Sequence, residues 1–295
     1  NPATGGDGDY IYVWERSTTS ATSGFVAVTS GSATDVSYNP GAITQTSWYR
    51  RKVTSGACGV YTTPAVKITV LPVISNNTLT VTDQTVCINQ PVPTLTGRVP
   101  TGGNNVYTYQ WERSTDEGST FAEINGATAR DYNPGILSQT TVFRRKVISG
   151  ACESYSGNVK IEITPLITNT IIVENQNICS GSAPATLTGA PTGGNGVYAY
   201  QWERSTDGTT FTNISGATAQ QYSPGALTSD TWYRRKVSSG NCVEYSNTLK
   251  INVTPPIGNS ISTTTERSCS AGAVPTLSAS PPTGGNGLYT YTWES

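Results

Sequence analysis

The sequence predicts an all-β fold built from tandem antiparallel β-sandwich domains, and three observations carry that reading. Thr, Ser, Asn, Gly and Val dominate the composition, Met is absent, and Leu, Glu, Lys and Ala never gather at helical spacing. Whole phrases recur: Trp14, Trp111, Trp202 and Trp293 stand 97, 91 and 91 residues apart, and Arg50-Arg51-Lys52 returns at 144–146 and 234–236. Within each period, short alternating segments are separated by Gly, Pro, Asn and Asp turns. A repeat near 90 residues is longer than solenoid units of roughly 20 to 50 residues and has the size of one small sandwich.

The copies are expected to part where Pro interrupts the strand pattern, at 71–75, 164–169 and 254–259. This gives two whole domains, 74–165 and 166–255, flanked by the back of one (1–73) and the front of another (256–295). The opening phrase Asn1-Pro2-Ala3-Thr4-Gly5-Gly6 matches the interior phrase Ala190-Pro191-Thr192-Gly193-Gly194, so the chain is expected to be a section of a longer polypeptide.

The third copy shows the strand signals in order. Residues 170–173 alternate into a first strand and 185–188 into a second, and 191–196 form a Gly-rich loop. Strands at 198–204 and 211–214 flank the Asp207-Gly208 hairpin signal, and a short strand follows at 220–222. The last two strands, 231–237 and 247–253, are joined by a turn at 239–241. Seven short strands with turns between them make a sandwich the economical fold.

Bulk charge excludes several functions. With 18 basic and 19 acidic residues the net charge is -1, which provides no field to recruit nucleic acid or an anionic membrane. No apolar run reaches the roughly 20 residues of a membrane-spanning helix. There is no His, so zinc would have no imidazole, and a Ser or Cys nucleophile would have no imidazole base. Calcium at the linkers would need converging carboxylates, which 164–169 lacks. No cofactor or metal is expected, and no enzymatic activity.

The order Tyr-x-Trp, a later Tyr, then Trp-Tyr-Arg-Arg-Lys-Val resembles an immunoglobulin-like domain. Trp14, Trp111 and Trp202 would be the core tryptophans of strand C, and Tyr49, Phe143 and Tyr233 the core aromatics of strand F. The phrasing is similar to the tandem Ig-like or PKD-like repeats of very large Bacteroidota surface proteins, among them gliding-motility adhesins. That resemblance covers the whole chain and rests on Ile178-Cys179-Ser180-Gly181, Pro-Thr-Gly-Gly-Asn-Gly, Tyr-x-Trp-Glu-Arg-Ser, Tyr222-Ser223-Pro224-Gly225 and Tyr-Arg-Arg-Lys-Val-x-Ser-Gly-x-Cys. It implies an extracellular, cell-surface adhesin or filament exported by the type IX route. In the usual immunoglobulin domain a disulfide joins strands B and F, whereas here Arg235 sits near the F-strand cysteine position.

Six cysteines fall into two series, Cys58, Cys152 and Cys242, and Cys87, Cys179 and Cys269. Two pairings fit. Within a copy, Cys87 would join Cys152 and Cys179 would join Cys242; across a linker, Cys58 would join Cys87, Cys152 join Cys179, and Cys242 join Cys269. Loop entropy separates them by only about 0.7 kcal/mol. The within-copy pairing is favoured because a strand-A cysteine would meet the F–G hairpin tip at one pole.

Fifteen of the 18 basic residues occupy repeat-locked places, which suits scaffold duties better than one unique site. In a strand, Arg234 and Lys236 share one face while Tyr233, Arg235 and Val237 share the other, so the basic run cannot present one patch. Glu112 with Arg144, and Glu203 with Arg234, are expected as cross-strand pairs on an exposed face, worth a few tenths of a kcal/mol. Arg235, aimed inward, must snorkel to the sheet edge or stack on a tyrosine. The loops carrying Gly102, Gly103 and Asn104, and Gly193, Gly194 and Asn195, are candidate sugar contacts through amides and neighbouring tyrosines. The expected function is an adhesive stalk or filament whose disulfides and short linkers resist unfolding and bending. A repeated glycan- or polymer-binding module acting by avidity, and a self-assembling filament subunit, are the alternatives. Partners are therefore neighbouring repeats, other surface proteins, glycans or copies of the chain.

Overall fold

The structure is a computed structural model that describes residues 2–262, 267–268, 270–273 and 276–294. Cys269 therefore lies outside the described residues. The first copy carries β1 (Ile11–Ser17), β2 (Val26–Ala27), β3 (Ser47–Thr54), β4 (Val60–Thr62) and β5 (Val66–Ile68). The second carries β6 (Gln84–Cys87), β7 (Thr108–Ser114), β8 (Ala122–Glu123), β9 (Thr141–Ser149), β10 (Cys152–Tyr155) and β11 (Val159–Thr164). The third carries β12 (Gln176–Cys179), β13 (Ala199–Ser205), β14 (Thr212–Asn213), β15 (Thr231–Ser239), β16 (Cys242–Tyr245) and β17 (Leu249–Thr254). Among the described residues the helical content is one 3₁₀ turn, Gly56–Cys58. The chain forms two compact units, one of Asn1–Thr82, Thr94–Asn133 and Val142–Val159, the other of Asp83–Pro93, Pro134–Thr141 and Lys160–Ser295.

The third copy lies wholly in the second unit and shows the arrangement complete. Its sheet runs in the order β12-β17-β15-β13-β14, with β16 paired to the far part of β15. Period-two alternation explains the central pair: β13 and β15 are antiparallel, so Trp202 sits opposite Arg235 and Glu203 opposite Arg234. The edge differs from the antiparallel expectation. β12 runs parallel to β17, with Cys179 opposite Thr254, so the sheet is mixed. The opposing layer is made of extended segments held by single bridges, Thr168 to Thr192, Leu187 to Tyr222 and Ser182 to Leu227. Strands expected at 170–173, 185–188 and 220–222 are these segments. Pro184, Gly189 and Pro191 interrupt the run of side chains and donors that a full ladder needs. The order of segments, the parallel first strand and the two-layer packing define an immunoglobulin-like sandwich.

The core is aromatic because every second residue of the central strands points inward. Trp202, Leu187 and Ile251 are fully buried, packed with Ile171, Tyr233 and Leu249. The Trp202 indole N–H donates to the carbonyl of Ala219 at 3.0 Å, so the polar end of the ring is satisfied. Tyr222 links the rings, with centroids 5.8 Å from Trp202 and 5.9 Å from Tyr233.

The first unit repeats these features. β1 pairs with β3 and β7 with β9 in the same register, Trp14 opposite Arg51 and Trp111 opposite Arg145. Trp111 and Phe143 are buried, as is Tyr49, whereas Trp14 is half-buried and stacks on Tyr38 at 5.8 Å. In the fourth copy Trp293 is 64% exposed.

The Gly-rich loop is a clasp on the linker that precedes its own copy. Gly193 has a φ of +79°, and a Cβ there would stand 1.8 Å from the carbonyl oxygen of Leu166. Gly193→Ala is accordingly expected to lower the stability of the third copy by about 2–3 kcal/mol, from left-handed strain plus lost linker contact. Thermal unfolding of the variant followed by tryptophan fluorescence measures this, and an unchanged midpoint would show that the loop does not grip the linker.

Candidate functional site

The Trp-Glu-Arg and Arg-Arg-Lys strands form the most chemically loaded surface of each copy, and they do different things on their two faces. On the outer face Arg234 Nε stands 2.6 Å from Glu203 Oε2, Arg144 the same distance from Glu112, and Arg50 2.7 Å from Glu15. The expectation of an exposed pair is corrected here, since Glu112 and Glu203 are both only 6% exposed. The cover comes from rings. The Arg234 guanidinium lies between Phe211 and Tyr245, at 4.2 and 4.4 Å from their centroids, and Arg144 lies between Phe121 and Tyr155, at 3.9 and 4.4 Å. A charge-assisted hydrogen bond sheltered by aromatic faces is worth more than a solvated pair. Arg234 is committed to this sandwich, and Arg235 beside it points inward, so the run offers no contiguous stripe to a polyanion.

The inner face holds a buried cation. Arg145 and Arg235 are fully buried. Neither snorkels to a sheet edge. Arg235 donates from Nε and Nη2 to Asn169 Oδ1 at 3.1 and 2.8 Å, and from Nη1 to the carbonyls of Gly189 and Gln220, both at 2.6 Å. Arg145 repeats the cage with Asn77 Oδ1 and the carbonyls of Arg130 and Arg98. The tyrosine stacking is present too, with Tyr200 5.5 Å from Arg235 and Tyr109 5.1 Å from Arg145. Burial pushes both guanidinium pKa values down, yet arginine keeps its charge, so neutral carbonyl dipoles must do the solvating. The asparagine amide of Asn169 donates onward to the carbonyls of Arg235 and Glu244 at 2.9 and 3.2 Å, stitching the entering segment to β15 and β16. Gly97 is required beside this cage because a Cβ would stand 2.0 Å from Arg145 Nη1.

The loops considered for sugars turn their asparagine carbonyl oxygens inward. Asn195 Oδ1 accepts from Ser239 Oγ at 2.6 Å and from the Val197 N–H at 2.9 Å, and Tyr198 donates to the Gly193 carbonyl at 2.7 Å. Asn104 makes the same bonds with Ser149 and Val106, and Tyr107 donates to Gly102. Gly103 and Gly194 are glycine because a Cβ would run into Ser149 and Ser239.

The joint between the second and third copies holds a disulfide, Cys87 to Cys242, with Cα atoms 5.7 Å apart and 155 residues between them in sequence. This replaces both expected pairings: Cys152 and Cys179 carry free thiols, as does Cys58, and Cys242 is not available to Cys269. The reason lies in the parallel edge. Cys179 stands level with Thr254, three residues beyond the Ile251 that faces Thr231 at the start of β15, whereas Cys242 faces Ser239 at the end of β15. The two cysteines are thus separated along the sheet by roughly 35 Å at about 3.3 Å per residue, against the 4.4–6.8 Å a disulfide allows. Cys242 is instead buried with Ile167 and Val237 at the entry side, where Cys87 reaches it.

In the second and third copies the β-hairpin after Trp-Glu-Arg-Ser is pinned by an aspartate. Ser114 Oγ donates to Asp116 at 2.5 Å, and Thr120 donates to it from its hydroxyl at 2.6 Å and from its N–H at 2.9 Å. These bonds, the Ser114 hydroxyl foremost, hold the Asp116 pKa at about 2. Asp207 is held still lower by the Thr210 N–H, Ser205 and the Thr209 N–H. A carboxyl whose folded pKa lies below its unfolded value contributes stability that is complete above about pH 4 and is lost as pH falls through the folded pKa. The hairpin contribution of Asp116 is therefore expected to decline from about pH 4 and vanish below about pH 2. A carboxyl titration by NMR measures it, and a midpoint at the ordinary aspartate value would overturn the assignment.

Among the described residues, no group of three or more His, Cys, Asp or Glu side chains could hold a metal ion, and no helix is long and apolar enough to cross a membrane. Fold and site together define a tandem array of immunoglobulin-like domains whose charged residues serve the sandwich itself. The chain belongs to the family described as "Domain of unknown function (DUF8696)", matched at residues 2–72, 76–165 and 168–255. A comparison with curated proteins finds no match. Among solved structures, it is similar to Drosophila OTK extracellular domains 3–5 at TM-score 0.41 and 9% identity, covering 83% of this chain and 85% of that one. It is also similar to titin domains I67–I69 at TM-score 0.45 and 11% identity, covering 83% and 88%. Against the N-terminal four Ig domains of Dscam1 isoform 6.9 the TM-score is 0.35 at 11% identity, and the chain spans 82% of itself but 65% of that structure.

Proposed function

We propose that the chain is a structural and adhesive repeat segment of an extracellular surface protein, forming part of a stalk or filament. Each unit of the stalk is one copy, with 74–165 and 166–255 whole and 1–73 and 256–295 partial. The observation that carries this reading is the covalent joint, Cys87 to Cys242, which ties one copy to the next and belongs to an oxidising, extracellular setting. The resemblance of its linked motifs to the repeats of Bacteroidota gliding-type adhesins extends the proposal to a type IX secreted surface protein. Its partners are neighbouring repeats and, through the rest of the surface protein, other surface molecules. Catalysis forms no part of the proposal, because Glu112 and Glu203 are held in ion pairs with Arg144 and Arg234, and Arg235 in the buried cage.

Against the glycan-module alternative stands the internal use of the Asn104 and Asn195 carbonyl oxygens, which leaves only their amide N–H groups for a sugar. The intact chain presented to a glycan array tests the choice. A stalk segment gives no saturable binding. Saturable binding of one sugar that disappears when Asn104 and Asn195 are both replaced by Ala would establish the binding module in its place.

A further inference from the structure

Cysteine positions in the second and third copies follow one geometric rule. The first-series cysteine closes the parallel edge strand: Cys87 stands opposite Thr164 and Cys179 opposite Thr254, in each case the last strand residue before a proline linker. Its neighbour continues the same bond pattern, with the N–H of Ile88 donating to Thr164 and that of Ser180 to Thr254. The second-series cysteine opens the hairpin strand: Cys152 stands opposite Ser149 and Cys242 opposite Ser239. It lies on the entry linker of its own copy. Cys242 packs on Ile167, and the Cys152 sulfur lies 4.0 Å from the carbonyl oxygen of Pro72. One series therefore marks the exit of a copy and the other its entrance.

We infer that the Cys87–Cys242 bond is one rung of a repeating covalent ladder, in which the first-series cysteine of every copy is joined to the second-series cysteine of the copy that follows. Cys179 is the exit thiol of the third copy and takes the entry thiol of a succeeding one. Cys152 is the entry thiol of the second copy and takes the exit thiol of a preceding one. Within this sequence neither meets its counterpart, since the first copy carries no first-series cysteine and the fourth no second-series one. Both are accordingly free, while the one joint that has both thiols is closed. Each rung forms by loss of two thiol protons and two electrons to a disulfide oxidant of the secretory compartment, such as a dithiol oxidoreductase in its oxidised form. Consecutive rungs interlock, because Cys179 lies inside the loop closed by Cys87 and Cys242.

A chain in which residues 166–255 are written twice in succession tests the rule. After alkylation without reduction, peptide mapping is expected to find two disulfides: Cys87 to the Cys242 of the first duplicate, and the Cys179 of the first duplicate to the second duplicate's counterpart of Cys242. An alkylated Cys179 in the first duplicate, or its bond to a cysteine of its own copy, with the Cys87–Cys242 peptide intact, would overturn the ladder. A second measurement does not depend on the insertion folding. In the chain without the duplication, carrying Cys87→Ser, Cys242 and Cys179 are both expected to be alkylated before reduction, and a bond between them would refute the rule.

Discussion

Asn169→Ala is expected to destabilise the third copy by about 3–5 kcal/mol, because it strips the buried Arg235 guanidinium of the acceptor shared by Nε and Nη2. The same substitution removes the amide donor to the carbonyls of Arg235 and Glu244, so the entering segment loses its hold on β15 and β16 together. The cost arises from leaving a charge buried with part of its cage missing, not from the worth of the pair itself. Exchanging both partners, Asn169→Leu with Arg235→Met, is therefore expected to recover most of the loss, since two well-packed apolar side chains need no solvation. Chemical denaturation of the two variants measures the difference. Equal destabilisation of single and double variants would show that the residues contribute through packing alone.

Opening the inter-copy disulfide is the second large effect. Closing a loop of 155 residues removes unfolded-state entropy worth about 5 kcal/mol at most. Cys87→Ser with Cys242→Ser is expected to lower the thermal midpoint of the unit that contains both by about 10–20 °C, at 2–4 °C per kcal/mol for a unit of its size. Adding reductant to the unmodified chain should reproduce the shift, while the double variant should not respond to it. A midpoint indifferent to both treatments would mean that the bond does not constrain the folded unit.

Much of the fold was legible because it rests on period two and on repetition. Alternation alone sends Trp202 inward and Glu203 outward, and the antiparallel partner strand then brings Arg234 beside the carboxylate. The inward course of Arg235 was equally legible. Its solution was not, because the acceptors come from Asn169, Gly189 and Gln220, three segments that no local pattern connects. A signal for one of them was present: Asn77, Asn169 and Asn259 recur 92 and 90 residues apart, an otherwise unexplained amide at the start of the second, third and fourth copies. The burial of Glu203 was hidden for the same reason, since Phe211 and Tyr245 approach Arg234 from different segments of the chain. The cysteine pairing failed on strand direction. Alternation reads the same for parallel and antiparallel neighbours, so nothing in residues 176–179 says that β12 runs beside β17 in the same sense and ends at the exit of its copy.

The disulfide also fixes how much length the stretch between its cysteines can release when the chain is pulled. Tension entering at Cys87 crosses to Cys242 through sulfur, and the loop between them, 155 residues in sequence separation, carries none of it. That loop would extend to about 500 Å if it were in the force path, at roughly 3.3–3.6 Å per residue. While the bond holds, the stretch contributes no slack even if its sandwiches unfold. Between Cys87 and Cys242 the reach is thus set by a covalent bond before it is set by folding free energy, and reduction, not force, is the event that would lengthen this stretch.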